Sequence, residues 1–380
     1  MSNIQRETIV SKRVETRESN YELLRIVAIL FIILYHISMR ANWDVDVFSP
    51  DGITLNGFFL QSLLPLGKVG VNLFILTSGF FLVSMKKSTW PSLTKIWLTM
   101  LFYSLVISSI FAVTGLEEFT PEKVFQAFTP IMSQFWWFAS TYVFLLVLSP
   151  FVNKMLDACS ETDHLKLIIL LLIAFCIVPT ILGVSYMFSN IAWFLMLYLI
   201  GAYISKYRHH FRFRASRYLL FALITYVFIL ALILILDLNG IVPGYTTNEP
   251  VWYMIQMNSI TSLLLSLFLF LAFSNADIGR HRVINTIAST MFGVYLIHHH
   301  PLVRGYIYSN IFHCGDFTWS PYLPLYVLFV TVVIFSVCAV IEYIRIHTIE
   351  AYLFDGINQR FAVLQQRFDG FLSKMISCRK

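Results

Sequence analysis

The chain has 380 residues, 58% of them hydrophobic and only 13% charged, with a formal net charge of +6 and a mean hydropathy of +0.72. A soluble globular chain carries about 25% charged residues, so the composition excludes an ordinary soluble enzyme and describes a polytopic membrane protein. The positive balance is no nucleic-acid signature, because its cations are spread through loops between apolar stretches and form no single basic face.

Residues 1–20 are polar and of mixed charge, without the apolar core and small-residue cleavage site of a secretory signal. They read as a cytoplasmic tail before a first helix that inserts uncleaved. That first apolar stretch, near 23–39, carries Arg25 and His36 eleven positions apart, with Glu22 just ahead of them. On an α-helix eleven residues make three turns plus about 20°, which places both side chains on one face roughly 16 Å apart. Ionisable groups within a span are costly and usually face a polar interior kept for function. An imidazole can act as general base on an alcohol near neutral pH, and a guanidinium pairs well with phosphates. The plainer readings are a hydrogen-bonded structural histidine and an arginine snorkelling to the headgroups.

The second expected span, 60–84, contains Gly67, Gly70, Gly79 and Ser78, with Lys68 and Asn72 in its outer half and Lys86 and Lys87 just past its inner end. Small residues there permit either close helix packing or irregular backbone lining a cavity. Spans follow at 93–114 and 134–151, the latter opening on Trp136 and Trp137, which an aromatic belt at the outer interface would explain. Further spans are expected at 166–184, 190–205, 218–237 and 252–273. The ninth, 284–303, ends in His298, His299 and His300. Consecutive positions point around a helix, so these three are not expected to serve one site, and His298 is the one expected to reach the interior. No carboxylate or cysteine spacing stands beside them to make a metal site, and the five cysteines are scattered as small buried hydrophobes. After the tenth span, 322–345, the tail 346–380 repeats apolar residues every three or four positions, from Leu353 and Ile357 to Phe371 and Met375, with Arg360, Arg367 and Lys374 between. That is an amphipathic helix suited to the anionic inner leaflet.

Loop charge orients the ten spans. With the N-terminus inside, 22 of the 27 Lys and Arg fall in inner segments, Arg25 and Lys68 lie within or beside spans, and only Arg40, Lys123 and Arg304 fall outside. The expected fold is therefore an all-α integral membrane protein of about ten transmembrane helices with both termini cytoplasmic, its membrane domain covering 21–345.

At this point the residues resemble the membrane-bound acyltransferase-3 family of bacterial O-acyltransferases. Its first-helix hallmark, an Arg and a His separated by ten residues, is met by Arg25 and His36. Gly70–Phe81 (GVNLFILTSGFF) is similar to its glycine-to-Ser-Gly-Phe element, Trp137–Phe151 to its Trp-to-Ser-Pro segment, and Tyr295–His298 to its Y-L-x-H element. Glu22 stands where an Asp is common and Asn72 replaces a frequent Asp, and acyl transfer is expected to be completed by the membrane unit or a separate partner without an appended esterase-like domain.

The resemblance implies transfer of an acyl group, acetyl from acetyl-CoA, to a hydroxyl of a cell-surface polysaccharide or its lipid-linked precursor, in the cytoplasmic membrane of a bacterium. It implies His36 as general base or transient acyl carrier and Arg25 as the donor's anchor. Glu22, Lys68, Ser78, Lys86, Lys87, Trp137 and His298 would line the donor and acceptor sides. No cofactor would be held permanently; acyl-CoA on the cytoplasmic side, the glycan, membrane lipids and glycan-biosynthesis proteins would be its partners. The rival reading is a flippase or exporter of glycan precursors, in which intramembrane charges mark a substrate path.

Overall fold

The structure, a computed structural model, describes residues 17–48, 54–85, 90–183, 189–239 and 255–354. Among the described residues every regular element is helical and no strand occurs. In chain order the main helices are α1 (Ser19–Arg40), α2 (Leu55–Leu82), α3 (Trp90–Val113), α4 (Trp137–Ala158), α5 (Glu161–Leu182), α6 (Asn190–Lys206), α7 (Ala215–Leu238), α8 (Ile260–Ser274), α9 (Arg282–Ala288), α10 (Met291–His298) and α11 (Leu323–Arg345). Seven of them, α1–α5, α7 and α11, are long and apolar enough to cross a bilayer.

The other three expected spans are helical but shorter. Helices α6 and α8 have 17 and 15 residues. The ninth is broken into α9 and α10, because Ser289 and Thr290 turn their hydroxyls back onto the carbonyls of Thr286 and Ile287. Such local side-chain bonds compete with the helical ladder. Past α11 the chain continues as a π-helix over Ile346–Phe354. The rest of the expected amphipathic tail, together with Lys86, Lys87 and nearly all of the expected N-terminal tail, lies outside the described residues.

Helix starts follow the capping rule: Ser160, Ser189 and Ser259 each accept a bond from the backbone N–H three residues on. Within α4, Pro150 has no N–H for the carbonyl of Leu146 four residues back, and the Ser149 hydroxyl donates to that carbonyl at 2.9 Å. The Ser-Pro pair thus satisfies inside the membrane the acceptor that the proline abandons.

Packing around α2 depends on absent side chains. A Cβ on Gly70 would overlap the Ala28 carbonyl of α1, and Cβ atoms on Gly79 and Gly201 would overlap the backbones of α6 and α2 respectively. Helices α1, α2 and α6 therefore meet backbone to backbone, as small residues allow in membranes. Asn72 is fully buried at this junction, donating to the Met257 carbonyl at 3.0 Å and accepting from the Trp193 indole at 2.9 Å. At the end of the bundle near His36, the Asp44 carboxylate accepts from the Trp319 indole at 2.9 Å, which holds its pKa below the usual carboxylate range. Asn56 donates to the carbonyls of Thr318 and Ser320, so these loops close over that end. By contrast α7 leaves Leu219, Leu220, Leu223, Ile224, Val227 and Phe228 exposed, an apolar face for lipid.

Candidate active site

The first-helix stripe opens onto a cavity. Arg25, Ile29 and Ile32, on one face of α1, line a pocket of about 380 Å³ together with Phe74 and Ser78 of α2, Lys95 of α3, Phe138 and Tyr142 of α4, Tyr295 of α10, and Glu342 and Arg345 of α11. Arg25 marks its charged end. His36 lies one helical turn beyond Ile32 on the same face of α1; neither it nor His298 is among the residues that line the pocket.

Glu22 is the anchor of Arg25. Its carboxylate is buried, with a side chain 7% exposed, and accepts from Arg25 Nη1 at 2.9 Å and from Arg17 Nη1 at 3.5 Å. Arg25 itself is about a third exposed, so its remaining donors face the cavity mouth.

Two helices bring histidines together at the opposite end. Helix α10 stops at His298, two residues before the neighbour of a proline: Pro301 lacks an N–H and biases His300 away from helical backbone. His299 caps the helix and leaves its spiral. Consequently His298 and His299 both reach His36, against the expectation that consecutive histidines diverge. His36 Nδ1 lies 3.0 Å from His298 Nε2, and the His299 ring stacks on that of His36 with centroids 4.1 Å apart and planes 2° from parallel. All three histidines of the run are buried, and His300 instead sets its ring against Phe135 and Trp136.

The hydrogen bonds assign the tautomers. His298 Nδ1 lies 2.5 Å from the Val294 carbonyl, which can only accept, so that nitrogen carries the proton. With the ring neutral, its Nε2 is an acceptor, and His36 Nδ1 must donate to it. The lone pair of His36 is thereby placed on Nε2, which meets no hydrogen-bond partner among the described residues. An imidazole held this way is a base aimed by a second imidazole, as an orienting group aims the base in a triad.

The remaining expected residues fall in several places. Ser78 lines the pocket; its hydroxyl donates to the Phe74 carbonyl at 2.8 Å, which makes Tyr142 the donor in the 3.1 Å Ser78–Tyr142 bond. Lys68 donates to the Tyr35 hydroxyl at 3.3 Å and sits over that ring, in the half of α1 that holds His36. Trp137 packs on Phe138 and Phe194 and does not line the pocket. Its neighbour Trp136 is fully buried and donates to the Leu296 carbonyl at 3.1 Å, bracing the helix that carries His298; an interfacial belt does not describe it.

Sequence reasoning missed Tyr142, Tyr295 and a buried ion network at the charged end. Arg345 donates to Glu342 through Nε at 2.6 Å and Nη2 at 2.8 Å, and Nη2 also reaches Glu350 at 2.8 Å. The Tyr103 hydroxyl donates to Glu342 at 2.6 Å, and Lys95 pairs with Glu350. The i,i+3 spacing of Glu342 and Arg345 at the end of a span was the available signal. Among the described residues no group of three or more His, Cys, Asp or Glu side chains, the clustered histidines included, is placed to hold a metal ion.

Fold and site thus define a membrane protein whose buried imidazole pair and cation-rimmed cavity share one helix. The acyltransferase-3 family model, described as an acyltransferase domain, matches residues 18–343, and the chain belongs to that family as a membrane acyltransferase. Neither a search of curated proteins nor one of solved structures returns a match.

Proposed function

We propose that this protein moves acetyl from acetyl-CoA onto a hydroxyl of a cell-surface polysaccharide or its lipid-linked precursor, with His36 Nε2 as the working atom. The observation that carries the reading is the single stripe of α1 that joins Arg25 at a charged pocket mouth to the His36–His298 pair. In this reading the chain crosses the cytoplasmic membrane of a bacterium ten times, with α6, α8 and the broken α9–α10 completing the count and both termini inside. Residues 21–345 form the membrane domain, flanked by the two cytoplasmic tails.

The donor's phosphates rest near Arg25 and its thioester reaches along Ile29 and Ile32 toward the imidazole. The acceptor hydroxyl approaches from the other end, where Lys68, His298 and His299 lie. His36 Nε2 takes the hydroxyl proton as the sugar oxygen attacks the thioester carbonyl. The carbon–sulfur bond breaks, and the departing thiolate receives the proton back from the imidazolium. His298 holds the ring in the productive tautomer throughout. The distinguishing experiment is transfer of label from acetyl-CoA to a glycan acceptor by the purified protein in detergent. Label on the glycan, lost in His36→Ala, supports the reading; glycan translocation without covalent change would overturn it in favour of a carrier.

A further inference from the structure

We propose that the pocket mouth is a phosphate seat gated by Glu350, where the pyrophosphate of a nucleotide-bearing acyl donor displaces that carboxylate from Lys95. The inference rests on the donor side of the acyl-transfer reading. Four cations, Arg17, Arg25, Lys95 and Arg345, line the cavity. Their carboxylate partners are Glu22, Glu342 and Glu350, with side chains 7%, 3% and 15% exposed, whereas Arg17, Arg25 and Lys95 are 38%, 32% and 52% exposed. The anions therefore lie behind and the cations in front. Each front cation is held by a carboxylate at its back, so its free donors are preorganised toward whatever enters the mouth.

Glu350 occupies a singular position in this set. It bridges Lys95 and the buried Arg345, and it is carried on the π-helical segment Ile346–Phe354 beyond the last span. Among the described residues the four cations face three carboxylates, a formal excess of one; with Glu350 swung aside the excess becomes two, which matches the two charges of a pyrophosphate diester. A carboxylate paired with the rim cation Lys95 and with the buried Arg345 competes from behind for the charge that a phosphate in the mouth would use. It keeps the empty mouth close to neutral and yields to a ligand of higher charge density.

The test measures CoA binding to the purified full chain in detergent by titration calorimetry, at two salt concentrations. Glu350→Gln is expected to tighten Kd about tenfold and Lys95→Ala to weaken it about tenfold, with Lys95→Arg recovering most of the loss. Weakening in Lys95→Ala should also flatten the salt dependence, which a structural defect would not do. Pantetheine, which has no phosphates, should bind all the variants alike. Unchanged CoA affinity in both variants, or equal shifts with pantetheine, would overturn the seat. Displacement of CoA by phosphatidylglycerol micelles with the same dependence on Lys95 would reassign it to a lipid phosphate and overturn the donor assignment. If these shifts appear but no acyl reaches a glycan, the acyl-transfer reading fails while the phosphate seat stands. If transfer proceeds and neither variant moves Kd or KM, the seat alone fails.

Discussion

His298 presents Nε2 to His36 Nδ1 at 3.0 Å while its own Nδ1 is tied to the Val294 carbonyl. This relationship converts a lone imidazole in the first helix into one whose reactive nitrogen is specified. It depends on α10 itself, since the Val294 carbonyl that ties His298 lies one turn back on the same helix.

Removing the base itself should be the most damaging change. His36→Ala is expected to lower kcat for acyl transfer by about 10²–10⁴-fold, the usual contribution of a positioned general base. Single-turnover transfer from labelled acetyl-CoA measures it, and a protein that retains most of its rate would exclude Nε2 from the chemistry.

His298 is a positioning residue, so His298→Ala should act on kcat and leave the donor KM in place. A fall of about a hundredfold is expected, because the His36 ring is then free to rotate or adopt the wrong tautomer. The imidazole ¹⁵N chemical shifts of His36 provide the independent readout: the variant should lose the signature of a protonated Nδ1. Retention of that signature would show that something else sets the tautomer.

At the charged end the expected effect is on binding. Arg25→Lys keeps the charge but loses the planar fork that bonds Glu22 and, in the proposed reading, would also bond a donor phosphate, so donor KM should rise about tenfold with a smaller change in kcat. An unaltered dependence of rate on acetyl-CoA concentration would remove Arg25 from the donor site.

The helix crossing at Gly79 and Gly201 is expected to tolerate no added carbon. Gly79→Ala forces a Cβ into the backbone at Tyr198, and overpacking of this kind destabilises by about 1–3 kcal/mol. Gly305→Ala, where a Cβ would meet open space, should stay within about 0.5 kcal/mol. Thermal unfolding of the two variants in detergent decides; equal stability would mean that α2 and α6 do not cross there.

Breaking the ion network should be severe for the same chain. Glu342 and Arg345 have side chains 3% exposed, so Glu342→Ala takes from a buried guanidinium one of its two carboxylates among the described residues and should destabilise by about 3 kcal/mol. A melting temperature equal to that of the parent would place this pair in a more hydrated setting than the one described.

The amino-acid sequence by itself determined the membrane character, the helical class, and the alignment of Glu22, Arg25 and His36, because hydropathy and a 3.6-residue period are local properties. It also marked Gly70, Gly79 and Ser78 as a run of small residues that either packs closely or lines a cavity; the structure gives close approach at the two glycines and a place on the pocket wall to Ser78. Tertiary structure alone decided which partners those residues meet. That His298 and His299 both reach His36 follows from a helix end set by Pro301 and from the packing of α10 on α1, and a local periodicity cannot supply either. The pairing of Lys95, Glu342, Arg345 and Glu350 joins residues some 250 positions apart. Burial drove them together: charges removed from water must find opposite charges, and only the folded bundle fixes which ones are near.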